Sequence, residues 1–417
     1  MSSVVLPAPV TVDAKERAGD SFAAVLRRTR KLFPDPTYHP QEDATGTRLY
    51  FGPHSLSVNS DGTGTKPELV ERLYAATGAT HYFERPAHDV VAMVADDAAR
   101  HGQFTLGIVN CVDVSSAENH DFVAALARGL EQACRAGRFP LINGETAELG
   151  YRVPGPGDSR LNWNAVALAL VHADKVYRAS NLRPGQPLVA LREHTIRSNG
   201  LSKARAILEQ AWLAEQGLTR DDWLAQTVAR LSGGSLDDAR RHWATLRGEQ
   251  PWLAEHVVVP WHVRFAELTE RLSRPATIYS PVIYEAQGGV DGPVSVPLVA
   301  AAHITGGGVP LKVKRMLART GLGAALTPVF PDPEGIPELL ELAASHPLDG
   351  YPLVDDRSAC EQWNRGIGFV CVAPDAAVAR ALIDLATSLG FEAAEAGHIL
   401  PVPEIHWRGH VWSHIAT

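Results

Sequence analysis

A two-domain fold of mixed α/β and α+β character is expected from three features of the sequence. The chain has 417 residues, about two to three times the common domain size, so a single core is not expected to hold it. From Leu49 onward, short apolar runs of strand length alternate with stretches of helical periodicity. Near the middle, the turn Leu182-Arg183-Pro184-Gly185-Gln186 separates two such stretches, a strand ending around Val171 and another starting at Pro187.

These features divide the chain into an arm at 1–48, a first domain at 49–182 and a second at 183–417. The arm is polar and irregular, with one helix expected over Ala14–Leu32. In the first domain Phe122, Leu126, Leu130 and Ala133 recur at helical spacing, and the following Phe139–Ile142 reads as a buried strand. Residues 211–272 are rich in Trp, Leu and Arg at helical spacing and lack the glycine signals on either side, which marks a helical insertion. Near the end, Phe369–Val372 reads as a strand, and Asp375 is placed to cap a helix striped by Val378, Ala381, Leu382, Leu385 and Leu389. Gly390 should stop it.

Composition excludes several functions. Hydrophobic residues make up 45% and charged residues 21%, ordinary globular usage. Lys plus Arg number 39 against 47 Asp plus Glu, a net charge of -8, and without a long basic run the chain is not expected to bind nucleic acid. No apolar stretch approaches the roughly 20 residues that cross a bilayer, so no membrane role is expected. Met1–Asp13 lacks the pattern of an export signal, which points to the cytoplasm. Cys111, Cys134, Cys360 and Cys371 have no metal or disulfide spacing and read as reduced and mostly packed.

Five groups of residues carry candidate chemistry. In Ser60-Asp61-Gly62-Thr63-Gly64-Thr65-Lys66 the glycines let the backbone approach a ligand, Lys66 offers a positive charge and Asp61 a metal ligand. This is not a Walker A loop, and the alternative is a plain glycine turn. Asp89 and the pair Asp96-Asp97 lie in a helical stretch, where adjacent carboxylates point about 100° apart and are ordinarily solvated. Asn143-Gly144-Glu145-Thr146-Ala147-Glu148 comes directly after the Phe139–Ile142 run, a position where α/β proteins often hold functional groups, although acidic residues also favour a helix start. Ser198-Asn199-Gly200 and Thr305-Gly306-Gly307-Gly308 each precede a helical stretch bearing a basic residue, Arg205 and Arg315, and read as anion sites or simple caps. His406, His410 and His414, four apart, would share one helical face as metal ligands, but the neighbouring prolines and tryptophans favour a packing tail.

Taken in order, Ser60–Lys66, Asp89–Gly102, Gly144–Glu148, Ser198–Gly200, Ala302–Gly308 and Asn364-Arg365-Gly366-Ile367-Gly368 resemble the motif series of the aminoimidazole ribonucleotide (AIR) synthetase family, also called phosphoribosylformylglycinamidine cyclo-ligases. The likeness covers about 56–205 and 275–400. It implies an AIR-synthetase-like architecture in which the first domains of two subunits pair their sheets, hence a homodimer. It also implies ATP with Mg²⁺ and a small phosphorylated substrate. The implied reaction phosphorylates the formyl amide oxygen of formylglycinamidine ribonucleotide, giving an iminophosphate, and then closes the imidazole ring, a step of purine biosynthesis. By position, Asp61, Asp97 and Glu145 would organise metal and phosphate. Gly62, Thr63, Gly64, Thr65, Lys66 and Asn364 would face the nucleotide. Ser198, Asn199, Gly200 and Thr305, Gly306, Gly307 and Gly308 would face the substrate.

The sequence departs from the family pattern at several of these places. Asp96-Asp97 stands for Asn-Asp, Val109-Asn110 for Leu-Asp, Arg197 for a histidine and Lys312 for an asparagine, whereas Arg315 is kept. The glycine-rich stretch before the first strand is replaced by Phe33-Pro34-Asp35-Pro36 and the residues after it. Two rivals therefore stand beside the cyclo-ligase. One is a paralogue that phosphorylates another small amide, carboxylate or phosphate ester. The other is a catalytically silent binding protein.

Overall fold

The computed structural model describes residues 47–241, 259–347 and 354–413, with scattered positions between 24 and 40. Most of the expected Ala14–Leu32 helix, His414 and residues 242–258 of the insertion lie outside the described residues.

Two sheets organise the chain. The first has the order β1-β2-β3-β6-β4-β5, built from β1 (Tyr38–Pro40), β2 (Thr47–Phe51), β3 (His54–Gly62), β4 (Phe104–Val114), β5 (Leu141–Glu148) and β6 (Leu161–His172). All its pairings are antiparallel except β4 with β5. Burial along β6 alternates strictly at its start, so one face of the strand enters the core and the other does not. The helices Arg85–Ala99 and His120–Gly137 cover the inner face. Their Val90, Val94, Phe122, Leu126 and Leu130 pack with Ile108, Val112 and Trp163 of the sheet.

The expected buried strand Phe139–Ile142 is corrected by the structure. The strand runs instead from Leu141 to Glu148, so Asn143–Glu148 lies within it rather than after it. Leu141 and Ile142 are 47% and 51% exposed. The reason is position: β5 is the edge of the sheet and pairs with β4 alone. Apolar side chains on an edge strand need not face the core of their own chain.

The second sheet has the order β13-β12-β9-β11-β7-β10-β8. It comprises β7 (Pro187–Arg192), β8 (Ala300–His303), β9 (Gly323–Leu326), β10 (Ile367–Val372), β11 (Ala393–Leu400), β12 (Ile405–Trp407) and β13 (His410–Trp412). Strand β10 is buried at every residue, as expected of a central strand. The helix Ala376–Ser388 begins where the sequence places it: Asp375 accepts hydrogen bonds from the backbone N–H of Ala377 and Val378, both at 2.9 Å. Gly390, at φ 87°, comes just past its end.

The histidine face near the C-terminus does not form. His406 lies on β12 and His410 on β13, opposite strands of an antiparallel hairpin, where spacing by four does not align side chains on one helical face. They pair separately, His406 with Glu404 at 2.9 Å and His410 with Asp356 at 3.2 Å. The cysteines are free, with Cys134, Cys360 and Cys371 buried and Cys111 exposed.

The insertion is helical where it is described, with Leu201–Glu215 crossing its expected start, then Arg220–Ser232, Trp261–Arg264 and Ala266–Leu272. Its Ala211, Trp261 and Leu272 share a core with Leu69, Leu208, Ile336 and Leu339. Arg205 reaches Glu68 at 2.7 Å, and Arg72 donates to the Val259 carbonyl at 2.9 Å. The insertion, through Val259, and the helix that leads into it, through Arg205, are therefore fastened to the helix Lys66–Thr77, which opens at the first glycine loop. Among the described residues no helix is long and apolar enough to cross a membrane.

Candidate active site

Three helices begin directly after glycine-bearing loops: Lys66–Thr77, Leu201–Glu215 and Gly308–Met316. None of them has a side chain capping its first N–H groups. The loops meet. A Cβ on Gly64 would lie 3.3 Å from the Ser198 carbonyl, and one on Gly306 would lie 3.1 Å from the Asn199 Oδ1. Thr65 and Ser202 bring their hydroxyls to 3.5 Å. Gly308 has φ 62°, and a Cβ there would fall 2.0 Å from the Cys360 carbonyl oxygen, so only glycine fits. The Gly308 N–H is taken by the Thr305 carbonyl at 2.9 Å and the Lys66 N–H by the Thr63 carbonyl at 3.4 Å, but no side chain caps the remaining first-turn N–H groups, and three helix-dipole ends converging here suit an anion.

Beside these loops lie two carboxylates. Asp61, near the end of β3, accepts from the Gly62 N–H at 2.8 Å. Solvent touches it, yet the protein crowded around it and the neighbouring charge of Asp97 push its carboxyl up to about 6. Asp97, on the helix Arg85–Ala99, has a side chain 37% exposed. Burial alone would raise it, but Arg100, His303 and Lys312 together hold it well below the usual carboxylate range. Arg100 lies 3.3 Å away and the His303 Nδ1 2.9 Å away. Lys312, whose ammonium feels both Asp61 and Asp97, is pushed down to about 8, chiefly by desolvation.

Behind Asp97 the network runs inward to a buried guanidinium. Arg197, at φ 59°, donates from Nη1 to Glu193 at 2.7 Å and to the Thr277 carbonyl at 3.0 Å. Its Nη2 approaches His303 Nε2 at 2.7 Å and Asp96 at 3.3 Å. Asp96 also accepts from the N–H of Tyr279 at 2.8 Å and of Ser280 at 2.9 Å. Burial pushes the Asp96 carboxyl up to about 7 in spite of these donors. The two adjacent aspartates thus serve different neighbours, one turned into the protein and one toward the cleft.

The other candidates lie deeper or farther off. Lys66 is fully buried, with its ammonium 2.8 Å from Asp89 and also on the Arg274 carbonyl, so in this conformation it faces inward beneath the loop. Ser198 donates to the same Asp89 oxygen at 3.1 Å, and the other Asp89 oxygen is buried with no hydrogen-bond partner among the described residues. Asn364 is buried and bridges the Thr195 carbonyl at 2.7 Å and the Gly366 N–H at 2.9 Å. Glu145 is exposed on β5, three strands across the sheet from β3 and Asp61. Asn110 is held by the Trp163 indole N–H.

Sequence reasoning gave no role to His303, Arg100 or Lys312. A histidine ending a strand just ahead of a glycine run was the available signal for His303.

Among the described residues no three His, Cys, Asp or Glu side chains cluster as a metal site. Two repelling carboxylates do fit Mg²⁺, which is commonly held by one or two protein carboxylates, with water and phosphate completing its shell.

Fold and site together define a two-domain α/β protein whose glycine loops meet in a cleft beside the carboxylates Asp61 and Asp97. The description "AIR synthase related protein, N-terminal domain" matches residues 46–169 and "AIR synthase related protein, C-terminal domain" matches residues 270–408; the chain belongs to this family. Among curated relatives, the phosphoribosylformylglycinamidine cyclo-ligase of Sorangium cellulosum is 26% identical, covering 97% of both chains. That of Thermococcus kodakarensis is 25% identical over 95% of this chain and 96% of its own. In fold, the chain is similar to one in the crystal structure of a HypE-HypF complex, at TM-score 0.51 and 12% identity, covering 94% of this chain and 99% of that one.

Proposed function

We propose that the protein is an ATP-dependent cyclo-ligase that closes the imidazole ring of aminoimidazole ribonucleotide. The observation that carries this reading is the meeting of three uncapped helix starts beside Asp61 and Asp97. Such a site performs catalysis by positioning and charge, which is what phosphoryl transfer requires. Gly62–Thr65 and the start of the Lys66 helix take the nucleotide phosphates, with Lys66 supporting the loop through Asp89 and Asn364 bracing the second domain. Ser198, Asn199, Gly200 and Thr305–Gly308 take the ribose phosphate.

Asp61 and Asp97 would hold Mg²⁺, which would neutralise phosphate charge when bound. Arg100 adds fixed positive charge, and Lys312 adds a charge that is lost as pH rises through about 8. The formyl amide oxygen of formylglycinamidine ribonucleotide attacks the terminal phosphorus and ADP leaves. An amidine nitrogen then attacks the activated carbon, phosphate departs and the ring closes.

The test supplies purified protein with ATP, Mg²⁺ and formylglycinamidine ribonucleotide and measures phosphate and aminoimidazole product over time. Phosphate release with another small amide, carboxylate or phosphate ester, and no aminoimidazole, would replace this reading with the paralogue. Lys312 at an asparagine position favours that second reading, because it sets a cation beside Asp61 and Asp97 where the family pattern has a neutral side chain. Asp61→Asn is expected to weaken Mg²⁺-ATP binding by roughly tenfold to a hundredfold, the cost of losing one charged contact. Unchanged affinity in calorimetry would remove Asp61 from the site.

A homodimer through the first sheet accompanies this function. It is supported by β5, an edge strand exposed almost throughout and carrying Leu141 and Ile142 outward. Light scattering should give about twice 45.0 kDa. Leu141→Lys should shift it toward the monomer, and a variant that stays dimeric would place the interface elsewhere.

A further inference from the structure

Arg197 can only donate hydrogen bonds, because a guanidinium has no lone pair to offer. Its Nη2 lies 2.7 Å from His303 Nε2, so Nε2 must be the accepting, unprotonated nitrogen. The single proton of the neutral ring then sits on Nδ1, 2.9 Å from Asp97 Oδ1, and is donated to it. His303 is completely buried while Asp97 reaches the cleft. The chain of contacts therefore begins at Glu193, 2.7 Å from Arg197, and ends on a carboxylate that meets solvent.

We infer that His303 is a positioning residue that aims the Asp97 carboxylate at the cation in the cleft, with its tautomer fixed by Arg197. A carboxylate on the last turn of a helix can take several rotamers. The shorter donor on Oδ1, His303 at 2.9 Å against Arg100 Nε at 3.3 Å on the same oxygen, selects one of them and leaves Oδ2 for the cation, the role that second partners play for metal ligands generally. The arrangement also links the domains. His303 ends β8, two residues before the glycine loop at Thr305, whereas Asp97 belongs to the helix that covers the first sheet.

The inference rests on reading Asp61 and Asp97 as the cation site, but not on the identity of the substrate. Its test uses the full chain and Mn²⁺ alone, without nucleotide, observed by electron paramagnetic resonance. His303→Ala should weaken Mn²⁺ binding about tenfold to a hundredfold, the loss of one hydrogen bond to a charged group. His303→Asn offers an amide N–H near the Nδ1 position and should recover affinity to within about threefold of wild type. Nitrogen-15 NMR of the wild type should show the proton of His303 on Nδ1.

Unchanged Mn²⁺ affinity in His303→Ala, a proton on Nε2, or failure of His303→Asn to restore binding would each overturn the inference. So would a wild type that does not bind Mn²⁺. A wild type that shows the full pattern yet makes no aminoimidazole product upholds the inference while removing the cyclo-ligase reading.

Discussion

Arg197→Met is expected to destabilise the protein by about 3 to 5 kcal/mol, the usual cost of removing one partner from a buried ion pair. Urea unfolding would read this as a lower midpoint. Methionine fills much of the space but leaves Glu193 and Asp96, both fully buried, without their cation. Glu193 keeps other donors, including the His194 N–H at 2.9 Å and the Thr277 hydroxyl at 3.1 Å, so part of its charge stays solvated by the protein. Asp96 keeps the N–H groups of Tyr279 and Ser280. Arg197→Lys should fall between, since it restores charge without the planar fork that reaches four partners. A midpoint unchanged in Arg197→Met would mean that the network stores no stability.

Glu71→Gln should do the opposite, and only at higher pH. Glu71 is 2% exposed and accepts from the Leu161 N–H at 2.9 Å. Burial, with a further push from Glu68, raises its carboxyl to about 8, and the donors nearby do not offset this. In the unfolded chain the same group titrates near 4.3. Between these values the folded protein holds a proton that the unfolded chain has released, so stability falls as pH rises from about 4 to about 8. At pH 8 the loss amounts to about 5 kcal/mol at roughly 1.4 kcal/mol per pH unit. Glutamine keeps the acceptor and cannot ionise. The variant should therefore melt like wild type near pH 4 and clearly above it at pH 8, and parallel melting profiles across that range would rule the effect out.

How much of this was legible in the sequence depended on whether the signal was local. The helix Ala376–Ser388 was, because its cap Asp375, its apolar stripe and its stop Gly390 all lie within sixteen residues. The glycine loops were equally legible, since left-handed backbone at Gly64, Gly200, Gly307 and Gly308 permits few other residues. The strand β5 was not. Its apolar start looks the same in sequence whether a core or an edge receives it, and that choice is made by β4 and by nothing local.

Partner choice was also beyond sequence reach. The 100° between neighbouring helical side chains separates Asp96 from Asp97, but which of them turns inward is decided by Arg197, Tyr279 and Ser280, a hundred or more residues away. Lys66 shows the same limit, because only folding brings Asp89 and the Arg274 carbonyl to its ammonium.

The cross-domain contacts of Asp96 and Lys66 bear on how ligands enter and leave. Tyr279 and Ser280 donate backbone hydrogen bonds to Asp96, while Arg274 caps Lys66 through its carbonyl, so one stretch of the second half is sewn to two helices of the first. Swinging the domains apart as rigid bodies would strip Asp96 of Arg197 and of the Tyr279 and Ser280 N–H groups, and would leave Lys66 with Asp89 alone, so such a motion carries the cost of exposing or unpairing buried charge. The cleft is therefore not a jaw. Exchange of whatever ligand the cleft takes is then expected to run through rearrangement of the glycine loops, and its rate should track loop motion rather than any change in the distance between the two sheets.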